Sequence, residues 1–191
     1  MDPAKGLTKS GAGPTDAALV VAARAGDAWA QEALFRRHLG LALGLSQRLI
    51  GRREEAEDVV QDAFFDAFAR LDRLENPQAF AAWLATIVVH RVGKHLRRRQ
   101  LLIRLGLRAA SQVDPDSLIS PAAPPEVVAE LRAVYCVLED LPPEQRVALV
   151  LRRVEGLELA EIARQMKLSL ATVKRRLAVA EAQLLRALGK P

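Results

Sequence analysis

The sequence predicts an all-α fold: two helical domains joined by a flexible linker, the second ending in a helix-turn-helix. Three observations carry this. Apolar residues recur at spacings of three and four from Thr15 to Arg99. The stretch from Leu141 to Leu188 divides into three short amphipathic helices, the last two separated by a tight break at Lys167-Leu168. Between these regions Pro115, Pro121, Pro124 and Pro125 interrupt the chain at a density that stops helices and keeps backbone extended. The expected division is a disordered tail over 1–14, a first domain over 15–100, a linker over 101–126 and a second domain over 127–191.

The tail holds three glycines, two prolines and no apolar period. Thr15 can then cap a helix with Leu19, Val20 and Ala23 inward, ending near Gly26. Asp27 caps a longer helix whose stripe is Ala30, Leu34, Leu41, Leu45 and Leu49. After Gly51 the acidic run Glu54-Glu55-Ala56-Glu57-Asp58 suits the positive end of a helix dipole. That helix should bury Val60, Phe64, Phe68 and Leu71. Its other side carries Asp58, Gln61, Asp62 and, against the polar pattern, Phe65. An aromatic ring on a polar acidic face suggests a protein contact, although single exposed apolar residues are also common.

Asn76-Pro77 breaks the chain, and a last helix of the first domain is expected from about Gln78 to Arg99, with Trp83, Leu84 and Ile87 inward. The apolar run Leu101 to Leu107 begins the linker; it either packs on a partner or extends the preceding helix. In the second domain Pro142 and Pro143 open a helix at the position where a missing backbone N–H costs nothing. It carries Val147, Val150, Leu151 and Val154, and Gly156 ends it. The next helix places Leu159, Ile162, Ala163 and Met166 inward. Ser169 caps the third, which turns Val173, Leu177, Ala180 and Leu184 inward and Ala171, Lys174, Arg175 and Ala178 outward, with Thr172 and Arg176 on the flanks. A short helix, a tight turn and a helix that begins with polar and basic residues fit a DNA major groove. A three-helix bundle with a charged outer face is the alternative.

Composition sharpens the reading. Half of the 191 residues are hydrophobic, which supports real cores, while 4% aromatic content leaves few rings to stack on bases. A single cysteine, Cys136, excludes a disulfide framework or cysteine-rich zinc site within one chain; it lies in an apolar run and is expected to be a buried, inert thiol. No apolar run approaches a membrane span, and the N-terminus lacks the basic-then-apolar order of a signal peptide. A cytoplasmic location without membrane insertion is therefore expected. The net charge of +5 is concentrated: residues 76–113 hold seven basic residues, among them Arg91, Lys94, Arg97, Arg98 and Arg99, and no acid, while the flanking regions are acidic or neutral. Such a window is what a phosphate-binding surface requires, though a solvated basic helix end would look the same. Enzyme chemistry finds no support. His90 and His95 are spaced by five, wrong for a metal pair on one helix face, and no glycine-rich phosphate loop, hydrolase elbow or catalytic carboxylate pair is present. No metal or cofactor is expected.

Two blocks carry a family resemblance. Ala56-Glu57-Asp58-Val59-Val60-Gln61-Asp62-Ala63-Phe64, Ala82-Trp83-Leu84 and Leu96-Arg97-Arg98-Arg99 resemble the second conserved region of bacterial sigma factors. Leu141-Pro142-Pro143-Glu144-Gln145-Arg146, Glu155-Gly156-Leu157, Glu161-Ile162-Ala163 and Ala171-Thr172-Val173-Lys174 resemble their fourth region. The order of the blocks resembles the compact extracytoplasmic-function group. The resemblance implies a promoter-recognition subunit whose partners are core RNA polymerase, promoter DNA and an anti-sigma factor, monomeric when free. It implies that Asp58, Gln61, Asp62 and Phe65 face the polymerase. His90, Arg91, Lys94, Arg97, Arg98 and Arg99 would meet the start-site element as a single strand. Ser169, Ala171, Thr172, Lys174, Arg175 and Arg176 would read the upstream element as duplex.

The chain departs from the family pattern at several positions. Where relatives commonly carry Asn, Asp and Arg it has His90, Lys94 and Glu181, and Ala178 and Val179 replace basic or aromatic residues. Glu158 stands at a usual serine cap. Lys167 stands at a turn position often held by glycine, a strain of about 1 kcal/mol if left-handed. Two rivals remain at this level: a conventional helix-turn-helix regulator, which leaves the arginine cluster unexplained, and a helical adaptor binding proteins only.

Overall fold

The computed structural model describes residues 13–107, 122–187 and 189, and these form eight α-helices and two short 3-10 turns. The N-terminal four are α1 (Asp16–Arg24), α2 (Ala28–Ile50), α3 (Arg53–Ala69) and α4 (Phe80–Arg104). The C-terminal four are α5 (Pro125–Asp140), α6 (Pro143–Arg153), α7 (Leu159–Met166) and α8 (Leu170–Ala187). The expected tail over 1–12 and the central part of the expected linker, 108–121, lie outside the described residues.

The caps form where the side chains call for them. Thr15 Oγ1 accepts from the Ala18 amide at 3.3 Å, one Asp27 carboxylate oxygen accepts from the Trp29 and Ala30 amides at 2.9 and 3.2 Å, and Ser169 Oγ accepts from Thr172 N at 3.2 Å. Each satisfies a helix-start donor that has no intrahelical partner. Lys167 is left-handed at φ 52°, the one described non-glycine residue with positive φ, so the turn of the helix-turn-helix carries the anticipated strain. Glu158 serves where a serine is usual: its amide donates to the Glu161 carboxylate at 3.0 Å, half of a capping box.

α2, α3 and α4 enclose the N-terminal core, with Leu34, Leu49, Val60, Phe64, Phe80, Leu84 and Val88 buried and the Phe35 and Phe64 rings meeting edge to face at 4.7 Å. The α2 stripe is displaced by one residue at its centre. Leu41 is exposed, and His38 and Ala42 face inward instead, because a continuous row of fours from Leu34 passes through His38 and Ala42. His38 is stabilised there by Asp16 at 2.9 Å.

On α4 the inward row is Phe80, Leu84, Val88, Val92 and Leu96; Trp83 and Ile87, expected inside, are half-buried at the margin of a groove. Phe68 is likewise only half-buried, α3 ending one residue later. The apolar run after Arg99 extends the helix: α4 continues to Arg104, and α5 starts at Pro125. On α5 Tyr135 and Leu138 face inward and Cys136 points outward; the thiol is exposed rather than buried. Val154 is also exposed, lying just past the end of α6.

Candidate nucleic-acid interface

The acidic helix α3 presents Asp58, Gln61, Asp62 and Phe65 at spacings of three, one and three, which brings all four to one exposed side. Phe65 is 67% exposed while its neighbour Phe64 is buried at 3%. The apolar ring therefore lies on the surface because of helix phase, not because the core lacks room. Asp62 is also held from α4: Arg91 donates to Asp62 at 3.0 Å and to Asp66 at 2.6 Å.

Of the basic residues of α4, Arg91 and Lys94 border a groove of about 480 Å³ with Trp83, Arg70 and Arg73, joined at its edge by Lys167 from the C-terminal half. Arg98 is exposed. Two others are engaged by C-terminal helices. Arg97 pairs with Glu144 at 3.0 Å, and Arg99 is 5% exposed with its guanidinium on Glu139. His90 keeps an exposed edge, yet its pKa is lowered from the ordinary histidine value, first by desolvation and then by Lys167 and Arg97; a hydrogen bond to the Gln165 backbone partly offsets this. Both effects disfavour a charge on His90, so the positive field of this face rests on Arg91, Lys94, Arg97 and Arg98.

α7 and α8 build the helix-turn-helix. Ala171, Lys174, Arg175 and Ala178 project outward, and Thr172 and Arg176 lie half-buried at the flanks, as the periodicity requires. Ser169 and Thr172 share a hydroxyl contact at 2.8 Å that fixes the start of α8. Glu181 is held by Arg153 at 2.7 Å, so the acid on the outer side of α8 is partly neutralised. Arg176 turns back to a cavity shared with α4.

The sequence reading missed the contact between the two halves. Arg146 on α6 is buried against the end of α2, where it donates from Nε to the Leu49 carbonyl and from Nη2 to the Ile50 carbonyl, both at 2.8 Å. Burial lowers its pKa to about 10, which still leaves it charged at neutral pH. Tyr135 donates its hydroxyl to the Arg48 carbonyl at 2.7 Å, and burial pushes its pKa up to about 12. A signal was present in Arg146-Val147-Ala148-Leu149-Val150-Leu151, a run too apolar for a helix with one solvated side; every residue of it is buried.

No described helix is long and apolar enough to cross a membrane. The fold is an assembly of helices with a helix-turn-helix in its C-terminal half and a polar helix face bearing an exposed aromatic ring in its N-terminal half, the organisation of a DNA-binding transcription subunit. Comparison with known proteins agrees. The model of the ECF sigma factor family matches residues 17–190. The chain is 34% identical over 176 residues to the ECF RNA polymerase sigma factor SigM of Mycobacterium tuberculosis, covering 92% of this chain and 85% of that one. It is 31% identical over 169 residues to the RNA polymerase sigma-H factor of Pseudomonas aeruginosa, covering 85% and 88%. Among solved structures, CnrH in complex with the cytosolic domain of CnrY aligns with a TM-score of 0.58 at 29% identity over 91% of this chain and 97% of that one. The sigma factor RpoE from Bartonella quintana, in complex with the anti-sigma factor NepR, shares the fold with a TM-score of 0.63 at 23% identity, covering 83% and 96%. The chain belongs to the ECF sigma factor family. It directs core RNA polymerase to promoters.

Proposed function

We propose that the two halves divide promoter recognition between them, with residues 15–100 binding core polymerase and the start-site element and residues 127–191 reading the upstream element. The exposed face of Asp58, Gln61, Asp62 and Phe65 docks on the polymerase, and the observation that carries this is the outward ring of Phe65 among acidic and amide groups. A desolvated aromatic anchor ringed by polar groups is the composition of a binding hot spot. His90, Arg91, Lys94, Arg97, Arg98 and Arg99 form the single-strand face, with the arginines on phosphates. Ser169, Ala171, Thr172, Lys174, Arg175 and Arg176 form the duplex-reading face, supported by the outward projection of Ala171, Lys174 and Arg175. An inhibitory protein partner of the anti-sigma kind controls the chain in response to an environmental signal, a reading supported by the CnrH structure being a complex with a protein domain. The test is co-purification with core polymerase. A chain carrying Asp62→Arg and Phe65→Ala should keep its helicity, since neither residue is buried, and lose the enzyme; undiminished co-purification removes the assignment.

A further inference from the structure

We propose that the cleft beside α8 seats backbone phosphates of duplex DNA on Arg152 and Arg153, and that Glu158 and Glu181 hold those arginines back until a phosphate replaces them. This rests on the assignment of the duplex-reading face above. The cleft, of about 350 Å³, is bounded by Arg152 and Arg153 at the end of α6, Leu159 at the start of α7, and Lys174, Ala178 and Glu181 on α8. Helix phase places it. Val173, Leu177 and Ala180 are buried, so Ala171, Arg175 and Ala182 form the outward centre of α8. Lys174, Ala178 and Glu181 follow one flank at spacings of four and three. The major groove is about 12 Å wide and a helix with its side chains about 10–12 Å across, so a seated helix has its flanks against the phosphate walls. With Arg175 toward the base edges, the flank of Lys174 turns to one wall, and the end of α6 lies beside it.

Three cations and one acid line the cleft, a balance that attracts phosphate. Lys174 is exposed, but both arginines are engaged. Arg153 donates from Nε to Glu181 at 2.9 Å, and its Nη2 lies 2.7 Å from the same oxygen. Arg152 Nη1 donates to the Leu157 carbonyl at 3.0 Å and reaches the Glu158 carboxylate at 3.3 Å. The two pairs are open to solvent, with the Arg153 side chain 65% and the Glu158 side chain 75% exposed. Ion pairs this open contribute little to the fold. A guanidinium binds phosphate through charge-assisted, often paired hydrogen bonds, so a phosphate at the cleft can take each arginine from its carboxylate while the helices stay as they are.

The exchange has a consequence in salt. An arginine that neutralises a phosphate releases a counterion from the duplex. A carboxylate set free in the same step gathers a cation from solution, so the net release is close to zero. Arg153 therefore adds little to salt dependence while Glu181 is present, whereas Lys174 adds its full share. Glu158 and Glu181, two of the acids by which the chain departs from the family pattern, trim the attraction that any duplex exerts. Base contacts, Arg175 among them, are left to decide where the chain rests.

Binding of the full chain to a short mixed-sequence duplex, read by fluorescence anisotropy from about 50 to about 200 mM salt, tests this. Glu181→Gln should bind more tightly at low salt and steepen the log–log salt slope by about 1, roughly three- to fourfold more affinity lost over that range. Adding Arg153→Ala to that chain should return the slope to the wild-type value, because the arginine makes the contact. A double variant that keeps the steeper slope shows that Glu181 acts by repulsion alone, and overturns the seat. So does a Glu181→Gln chain with an unchanged slope, or one that binds more weakly, as loss of a purely structural pair would have it. Glu158→Gln, which keeps a side-chain oxygen at the start of α7, should steepen the slope by a similar amount; no response there strikes Arg152 from the seat. Lys174→Ala separates the seat from the reading beneath it. A slope lowered by Lys174→Ala with no response at Glu181 removes the seat alone, while duplex binding indifferent to Lys174→Ala, Arg175→Ala and salt removes the duplex-reading assignment and the seat with it.

Discussion

Replacing Arg146 by Met isolates the energetic centre of the contact between the halves. Methionine is a good helix former of similar reach, so α6 itself should persist. The lost interactions are the two bonds to Leu49 and Ile50 carbonyls at 2.8 Å and the guanidinium over the Tyr135 ring, 5.8 Å from its centroid. Hydrogen bonds to charged groups contribute about 1.5–3 kcal/mol each, so the two together amount to about 3–6 kcal/mol. Against this stands the cost of keeping the charge buried. The lowering from 12.5 to about 10 corresponds to roughly 3 kcal/mol, most of it from burial, with the repulsion of Arg99 and Arg52 already included. The bonds win by a modest margin, and the docked form should lose about 2 kcal/mol, roughly 30-fold in the ratio of closed to open chain. Energy transfer between dyes placed on α1 and α8 reads this ratio directly, with circular dichroism as the control for helix content. An unchanged distance distribution would show that the two carbonyl bonds contribute nothing net, and the reasoning from the α2 terminus would fail.

Other expectations follow from individual side chains. Docking should weaken as pH falls below about 6.5, because His90 is held below its ordinary value in the closed form by burial, Lys167 and Arg97. The open form takes up the proton first, so the part of closure that depends on neutral His90 is present above that pH and declines below it; the same dye pair followed from pH 8 to pH 5 checks the sign. Arg175→Ala should relax preference at one base pair of a selected upstream duplex by about 1–3 kcal/mol, whereas Lys174→Ala should weaken all sequences alike and reduce the salt slope by about 1. Selection from randomised duplex at two salt concentrations separates these, and an unchanged selected sequence for Arg175→Ala moves base reading to Thr172 or Arg176. Cys136, being exposed, should react with a maleimide in the native chain at close to the rate of the unfolded chain; protection would place it back inside.

Much of the helix inventory was legible because caps and breakers are local. Thr15, Asp27 and Ser169 are each set by a side chain within three residues of the amide it satisfies, and the left-handed Lys167 stands at the turn position that the family resemblance marks as often glycine. The four residues of the α3 face were legible for the same reason, since helix phase alone sorts Phe65 from Phe64. What was not legible depends on partners distant in the chain. His38 faces inward at the cost of a polar ring because Asp16, 22 residues away, receives it. Trp83 and Ile87 border a groove because the α4 core row is set by packing against α2 and α3. α5 went unassigned, its apolar run Val134 to Leu138 showing a composition without a partner. The fate of Arg97 and Arg99 was least accessible: as sequence they are a basic cluster open to phosphate, and only the approach of Glu139 and Glu144 engages them.

The most direct measurement is transcription in vitro with purified core polymerase and fragments of the source genome as template. Addition of the wild-type chain should produce transcripts that core polymerase alone does not make, from start sites that share an upstream element, and the Asp62→Arg, Phe65→Ala chain should abolish them. Transcription no different from core polymerase alone, on the same fragments where a known sigma factor drives the enzyme, would contradict promoter direction by this chain.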